Sequence, residues 1–336
     1  MDHISMGLSE VSDVIRAAYL NRENGIQAIT PYLVGSVGTG KTTTSIAAAE
    51  SLGIDHRVVI LAQYDAGELR GLIYHENGET VWLRPNWLPS EGQGILVIDE
   101  LPQAPLANQN IAAQLVNERR IGEHKLGDGW IIVCTGNAVK HRAGANQIPT
   151  HLKDRLTYCY IEADVDDTLD YMNSVGVNPA VIGYLKFRPS NLCVFDKDAD
   201  ACPSPRSWHK VSDILSWGLP EEIEFKLIIG QVGKAAAADF RAYLNVYRAL
   251  PDPEAPLKTP ETAEIPSEPS ILFAVCANLA QRVNKSNVGN FFKYLTRLTQ
   301  QEFAAFALKS LYPRWPEVKN EEAFKAWVRE HGKHLV

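Results

Sequence analysis

The chain reads as an α/β fold, a parallel sheet with helices on both faces, followed by a long stretch with a helical pattern. Three short apolar runs carry the first half of that reading: Tyr32-Leu33-Val34, Ile95-Leu96-Val97-Ile98 and Trp130-Ile131-Ile132-Val133-Cys134-Thr135. Unbroken runs of this kind suit strands buried on both faces of a sheet. Helical patterns lie between them, over Thr42 to Leu52 and Asn108 to Asn117, and that alternation builds parallel strands. From Pro205 onward the pattern is helical, apart from one proline-rich interruption.

Taken in order, residues 9 to 22 put Val11, Val14, Ile15 and Ala18 on one helical face, with Ser9 as the expected N-cap. Tyr32 to Val34 then runs into Gly35-Ser36-Val37-Gly38-Thr39-Gly40-Lys41-Thr42, which reads G-x-x-x-x-G-K-[ST]. The glycines let the backbone wrap with its N–H groups turned inward around a polyphosphate. Lys41 brings a point charge to the outer phosphates, and the Thr42 hydroxyl can ligate Mg²⁺. Thr43 follows in the helix whose N-terminus faces the anion. Gly35, Ser36, Val37, Gly38, Thr39, Gly40, Lys41, Thr42 and Thr43 are therefore the candidate nucleotide-binding residues.

Arg57 to Ala62 is expected as a second buried strand. Leu72 to Leu83 carries Asn77-Gly78 between two β-rich arms, a hairpin signal because both turn positions need positive φ. A phosphate-binding core does not need this hairpin, which is either an interaction element or decoration. Ile95 to Ile98 ends in Asp99-Glu100, and ligands of open α/β sheets bind at that carboxyl edge. Asp99 is placed to hold Mg²⁺, directly or through water. Glu100 is placed to polarise a water for attack on a γ-phosphate. Arg119 to Leu126 suggests a second small hairpin with Gly122 in its turn. The last apolar run ends in Gly136-Asn137, where Asn137 can hydrogen-bond the attacking water or the γ-phosphate.

Composition narrows the classes. The 336 residues, 45% hydrophobic and 22% charged, describe an ordinary globular protein of two or three units. No apolar run approaches a membrane span, and the N-terminus lacks a signal-peptide layout, so a cytoplasmic protein with no membrane role is expected. Five scattered cysteines with no C-x-x-C pair suggest neither a zinc site nor a disulfide framework. The histidines form no ligand cluster, His331 and His334 lying near a frayed end. A net charge of −7 argues against a surface devoted to nucleic acid, although residues 271–336 carry ten Lys/Arg against five Glu.

The segment GILVIDELPQAPLANQNIAAQLVNERRIGEHKL, followed by WIIVCTGNAVKHRAGANQIPTHLKDRL, resembles the MoxR-like branch of AAA+ ATPases, with CbbQ-type, chelatase and McrB-type relatives. The resemblance covers about Pro31 to Trp208. It implies ATP and Mg²⁺ as ligands, a homo-oligomeric hexameric ring and a protein client, commonly a von Willebrand factor A-type partner. Lys41 and Thr42 match the Walker A pair, Asp99 and Glu100 match Walker B, and Asn137 matches sensor 1. Arg155, in Leu152-Lys153-Asp154-Arg155-Leu156, matches the finger that enters the neighbouring subunit's site. An ion pair with Asp154 or Asp164 is the competing account, and Arg142 is a competing finger. Arg206, in Ser204-Pro205-Arg206, matches sensor 2, or else is a surface arginine at a Pro-started helix. Both hairpins match inserts of this branch that point toward a pore or partner.

Departures remain. Glu100-Leu101-Pro102-Gln103-Ala104-Pro105 replaces the usual acidic-then-Asn sequence. Leu185-Lys186-Phe187-Arg188-Pro189-Ser190-Asn191 and the acidic Asp196 to Asp200 read as a surface loop. The compact length, unusual C-terminal domain and divergent lid approach would suit a phage- or mobile-element-encoded member.

The expected organisation is a P-loop AAA+ core over 1–162, a helical lid over 163–250, a linker over 251–270 and a C-terminal helical domain over 271–336. The linker, with six prolines and five acids, reads as extended chain. Lys285, Lys293 and Arg297 interleave with Phe291, Phe292 and Tyr294, either as a helical bundle with solvated cations or as a nucleic-acid platform. The expected activity is ATP hydrolysis at subunit interfaces, coupled to remodelling of a protein partner. The alternative is a DNA-acting AAA+ motor: a helicase, loader or translocase.

Overall fold

The computed structural model describes residues 4–22, 28–36, 38–137, 147–162, 164–196, 198–248, 254–312 and 314–331. The chain divides into two compact units, Met1–Asp164 and Val165–Val336.

The first unit begins with β1 (Ser5–Met6), α1 (Leu8–Leu20), β2 (Pro31–Gly35), α2 (Lys41–Leu52), β3 (Asp55–Ile60) and α3 (Ala66–Arg70). A hairpin follows, β4 (Leu72–Glu76) and β5 (Glu79–Leu83), then β6 (Gln93–Asp99) and α4 (Leu106–Glu118). A second hairpin, β7 (Arg120–Ile121) and β8 (His124–Lys125), leads to β9 (Gly129–Asn137), α5 (Thr150–Lys153) and β10 (Thr157–Ile161). Among the described residues six strands form one parallel sheet in the order β1-β10-β2-β9-β6-β3. This is the phosphate-loop α/β architecture expected from the sequence.

Alternation along each strand explains why the apolar runs are unbroken. Leu33, Ile95, Val97, Ile131 and Val133 join Val11, Ile15, Ala48 and Ala49 in one core against α1 and α2. Tyr32, Val34, Leu96, Ile98, Ile132 and Cys134 point the other way, into a second core with Leu69, Ile111, Leu115 and Leu152. These residues of β2, β6 and β9 therefore have an apolar partner layer, whichever face they take.

Two local expectations are corrected. The strand expected as buried over Arg57 to Ala62 is an edge strand, β3, with Val59 buried and Val58 exposed. The N-cap of α1 is Gly7 rather than Ser9, and the Gly7 N–H donates to Glu10 at 2.9 Å. The helix starts earlier because Leu8 already packs on the core. Both hairpins form. Asn77 (φ 52°) and Gly78 (φ 85°) turn the first, and Gly122 (φ 56°) lies in the turn of the second. The first is highly exposed at Leu72, Ile73 and Tyr74.

The second unit is helical among its described residues. It contains α6 (Val165–Ser174), α7 (Pro179–Phe187), α8 (Pro205–Ser216), α9 (Glu221–Arg248), α10 (Ala255–Lys258), α11 (Pro269–Arg282), α12 (Val288–Thr296), α13 (Gln301–Leu311) and α14 (Glu322–His331). Ser204 caps α8, accepting from the Ser207 N–H at 3.1 Å. Gly233, with φ 78° and ψ 164°, breaks α9 where a Cβ would lie 2.7 Å from the Ala201 carbonyl oxygen.

Two expectations change here, and of the two readings of the basic–aromatic stretch the helical bundle is the one the burial supports. Residues 185–191 are the end of α7 and a 3-10 turn rather than a loop: Arg188, Pro189 and Ser190 are exposed, as are Asp196, Asp198 and Asp200, but Leu185 is buried, and Asn191 Nδ2 donates to Tyr184 Oη at 2.6 Å and to Asp239 at 3.2 Å. The stretch is held because Trp208 Nε1 donates to the Asn191 carbonyl at 2.7 Å, beneath a cluster of Tyr184, Trp208 and Phe240 rings. The proline-rich segment is not extended throughout. Leu257 and Ala263 are buried, and Arg297 donates to the Ala263 carbonyl at 2.8 Å while Tyr294 Oη donates to that of Glu264 at 3.1 Å. The basic–aromatic stretch is no stacking platform, since Phe291, Phe292 and Tyr294 are all buried and Lys293 pairs with Glu261 at 3.1 Å. His331 belongs to α14, and His334 lies outside the described residues.

Candidate active site

The loop after β2 opens at the carboxyl edge of the sheet, and α2 starts directly beyond it. Gly38 (φ 78°) and Gly40 (φ 83°) take the left-handed conformations that side chains resist. Gly35 has a different reason, because a Cβ there would come within 2.7 Å of the Ile161 carbonyl oxygen on β10. Lys41 is buried, its ammonium donating to the carbonyls of Ser36 at 2.7 Å and Gly35 at 3.2 Å and lying 3.5 Å from Thr39 Oγ1. Thr39 Oγ1 in turn donates to the Ser36 carbonyl at 2.9 Å. The lysine's charge is thus folded into the cradle. Thr43 is exposed on the first turn of α2, and Val37 lies outside the described residues.

The parity of β6 decides where Asp99 goes. Ile95 and Val97 face α1 and α2, so Asp99, two residues on, belongs to the same side. Thr42 Oγ1, in the first turn of α2, donates to Asp99 Oδ2 at 3.0 Å. A hydroxyl and a carboxylate oxygen, both hard donors, meet at the mouth of the phosphate loop. Among the described residues no group of three or more His, Cys, Asp or Glu could hold a metal. This donor set fits Mg²⁺, which takes one or two protein oxygens and completes its shell with substrate phosphates and water. Thr42 and Asp99 would hold that ion, and bound there it would neutralise charge on the phosphates.

Glu100 follows in the left-handed region, at φ 53° and ψ 35°, and the chain continues into a 3-10 turn at Leu101–Gln103. Its side chain is half-buried at the sheet edge. Asn137 ends β9, level with Gly35 in the β2–β9 register. Because β9 lies between β2 and β6, Asn137 falls between the loop and the Asp99-Glu100 pair.

Sequence reasoning missed Thr135. It is fully buried on the same strand face as Asn137, donates from Oγ1 to Asp99 Oδ1, and accepts the Glu100 N–H at 3.3 Å. The available signal was a hydroxyl two residues before Asn137 in an otherwise apolar run.

Arg155 is exposed after α5, donating to Asn117 Oδ1 at 2.8 Å and to the His151 carbonyl. Arg206 is exposed in the first turn of α8, in the second unit. Arg142 lies outside the described residues. A cleft lined by Asp55, Arg84, Gln93 and Trp130 opens at the amino ends of the strands, away from the loop, and contains none of the candidate residues.

No helix among the described residues is long and apolar enough to cross a membrane. No family model matches the chain, and no curated protein matches it. Among solved structures it is similar to NtrX from Brucella abortus, at 13% identity and a TM-score of 0.41, over 99% of this chain and 69% of that one. A putative ATPase from Cytophaga hutchinsonii is similar at 13% identity and a TM-score of 0.37, over 97% and 88%. So is the Holliday junction branch migration motor RuvB of Thermotoga maritima, at 16% identity and a TM-score of 0.37, over 81% and 80%. These are distant likenesses, and the fold of the chain stands on its own sheet and loop.

Proposed function

We propose that the chain is an AAA+ ATPase of the MoxR-like type, forming a ring and coupling ATP hydrolysis at subunit interfaces to remodelling of a protein partner. The observation that carries the ATPase reading is the hydrogen bond from Thr42 to Asp99 beside a buried Lys41. Phosphoryl transfer needs positioned cations and an oriented nucleophile more than covalent chemistry. Lys41 takes the charge of the β- and γ-phosphates, and Thr42 and Asp99 would hold a Mg²⁺ that would supply further neutralisation there. Glu100 polarises the attacking water, and Asn137 orients it or the γ-phosphate.

The ring, the hexamer and the protein client rest on the resemblance of the sequence. Arg155, exposed and fixed by Asn117, is available to a neighbouring copy as the trans-acting guanidinium. Arg206 is assigned to sensing nucleotide from the lid. The exposed apolar hairpin of β4 and β5 is assigned to the client. Burial of the Phe291, Phe292 and Tyr294 rings weighs against a nucleic-acid role for that stretch.

The test is ATP turnover per subunit as protein concentration rises, with and without DNA. Cooperative turnover that ignores DNA, lost in Arg155→Ala, is the expected result. A rate independent of concentration down to a demonstrably monomeric sample would overturn the shared site. Turnover that requires DNA and weakens steeply with salt would replace the protein client with DNA. Glu100→Gln is expected to bind ATP and lose turnover.

A further inference from the structure

Asp99 has two carboxylate oxygens, and the structure uses them differently. Oδ2 meets the Thr42 hydroxyl at 3.0 Å. Oδ1 accepts the Thr135 hydroxyl and, at 3.0 Å, the Glu100 N–H. The Glu100 N–H is shared with Thr135 Oγ1 at 3.3 Å. Ile98 pairs with Cys134 across the β6–β9 ladder, so the next residues, Asp99 and Thr135, lie side by side where the strands end. Thr135 is fully buried, so no water competes for its hydroxyl.

We propose that Thr135 is a positioning residue for the metal site, fixing which Asp99 oxygen is offered to the cation and how the backbone carries Glu100. This rests on the reading of the site as one for Mg²⁺ and ATP. A carboxylate with both oxygens free can rotate about its terminal bond. Here the hydroxyl and the amide hold Oδ1 on the strand side, and Oδ2 is left facing Thr42. The same hydroxyl accepts from the Glu100 N–H, which tethers the left-handed residue that carries the water-polarising carboxylate. One side chain thereby sets two groups, the carboxylate that would hold the metal and the residue that carries the water-polarising carboxylate. Groups that orient metal ligands in this way typically contribute about 10- to 100-fold in metal affinity.

The experiment titrates a fluorescent ATP analogue into the full chain, once with Mg²⁺ and once with EDTA. The electron paramagnetic resonance spectrum of Mn²⁺ bound with ATP is recorded alongside. Thr135→Val removes the hydroxyl and keeps the shape, and Thr135→Ser keeps the hydroxyl. In the Val variant the metal-free affinity is expected to stay within about twofold, while the gain from Mg²⁺ falls by about tenfold or more and the Mn²⁺ spectrum changes. The Ser variant is expected to restore both. If Val fails to fold, Thr135→Ala takes its place in the comparison.

A folded Val or Ala variant with the wild-type Mg²⁺ gain and Mn²⁺ spectrum overturns the assignment of Thr135 alone. Lys41→Ala distinguishes that result from failure of the underlying reading. If the wild-type protein shows no nucleotide binding that Lys41→Ala removes, the site itself is misread, and the assignment of Thr135 falls with it.

Discussion

Asn137 stands level with Gly35 across the β2–β9 pair, so the end of one strand faces the start of the phosphate loop on the next. In the proposed role, the amide reaches what occupies the loop without belonging to it. Asn137→Ala is expected to keep ATP affinity within a few-fold and to lower turnover by about 10²-fold, the usual scale for losing one aligned hydrogen-bonding group. Equilibrium binding and single-turnover hydrolysis, measured on the same preparation, separate the two effects. Equal loss of both would return Asn137 to the role of a turn residue.

Gly35 supplies a purely steric prediction. An added methyl would meet the Ile161 carbonyl oxygen at 2.7 Å and crowd Thr39 Oγ1 at 3.2 Å. Backbone on a neighbouring strand cannot move aside cheaply. Gly35→Ala is expected to destabilise the first unit by about 1–3 kcal/mol, the range for overpacking. It is also expected to weaken ATP binding, because Thr39 belongs to the loop. Urea unfolding with and without ATP measures both consequences.

In the second unit Trp208 is fully buried, its ring 5.3 Å from both Tyr184 and Phe240. Trp208→Ala removes that ring and leaves the Asn191 carbonyl without its 2.7 Å donor. A loss of about 3–5 kcal/mol is expected for a buried aromatic truncated to alanine. Limited proteolysis should then cleave residues 165–336 while the first unit persists. Uniform loss of both units would mean that they unfold together.

Thiol chemistry gives an independent map of the fold. Burial pushes the Cys134 and Cys276 thiols up to about 12 and raises Cys159 as well. Raising a thiol's pKa depletes the thiolate, which is the reactive form, to about one part in 10⁴ at pH 8 for a value near 12. Alkylation of the native protein is expected at the half-exposed Cys193 and Cys202, with the other three reacting on unfolding. Peptide mass mapping after a short iodoacetamide pulse at pH 8 decides this. Rapid native labelling of Cys134 would contradict its place in the sheet.

What could be read in the sequence was what local chemistry dictates. The phosphate loop, the apolar runs and the Asn77-Gly78 turn each depend on neighbours a few residues away. The edge position of β3 does not, since it follows from the order in which strands associate, and an apolar run looks the same at an edge as in the middle. Thr135 was invisible for a related reason: its partners are Asp99 and Glu100, brought alongside only when β6 and β9 pair. Asn191 similarly looks like a loop residue until Tyr184 and Asp239 close on it. Positions whose meaning comes from pairing across the chain need the fold to be seen.

Glu100 occupies a backbone conformation, φ 53°, in which glycine or asparagine would be at greater ease. A side chain of this size held there costs about 1–2 kcal/mol. Repeated rounds of selection for heat resistance alone would therefore drift toward glycine at this position. With Glu100 in its proposed role, the resulting lineage is expected to melt later, still load nucleotide and no longer hydrolyse it. Screens for hardier forms of this protein should score turnover in every round, because the substitution that most readily toughens this corner removes the carboxylate proposed to polarise the attacking water.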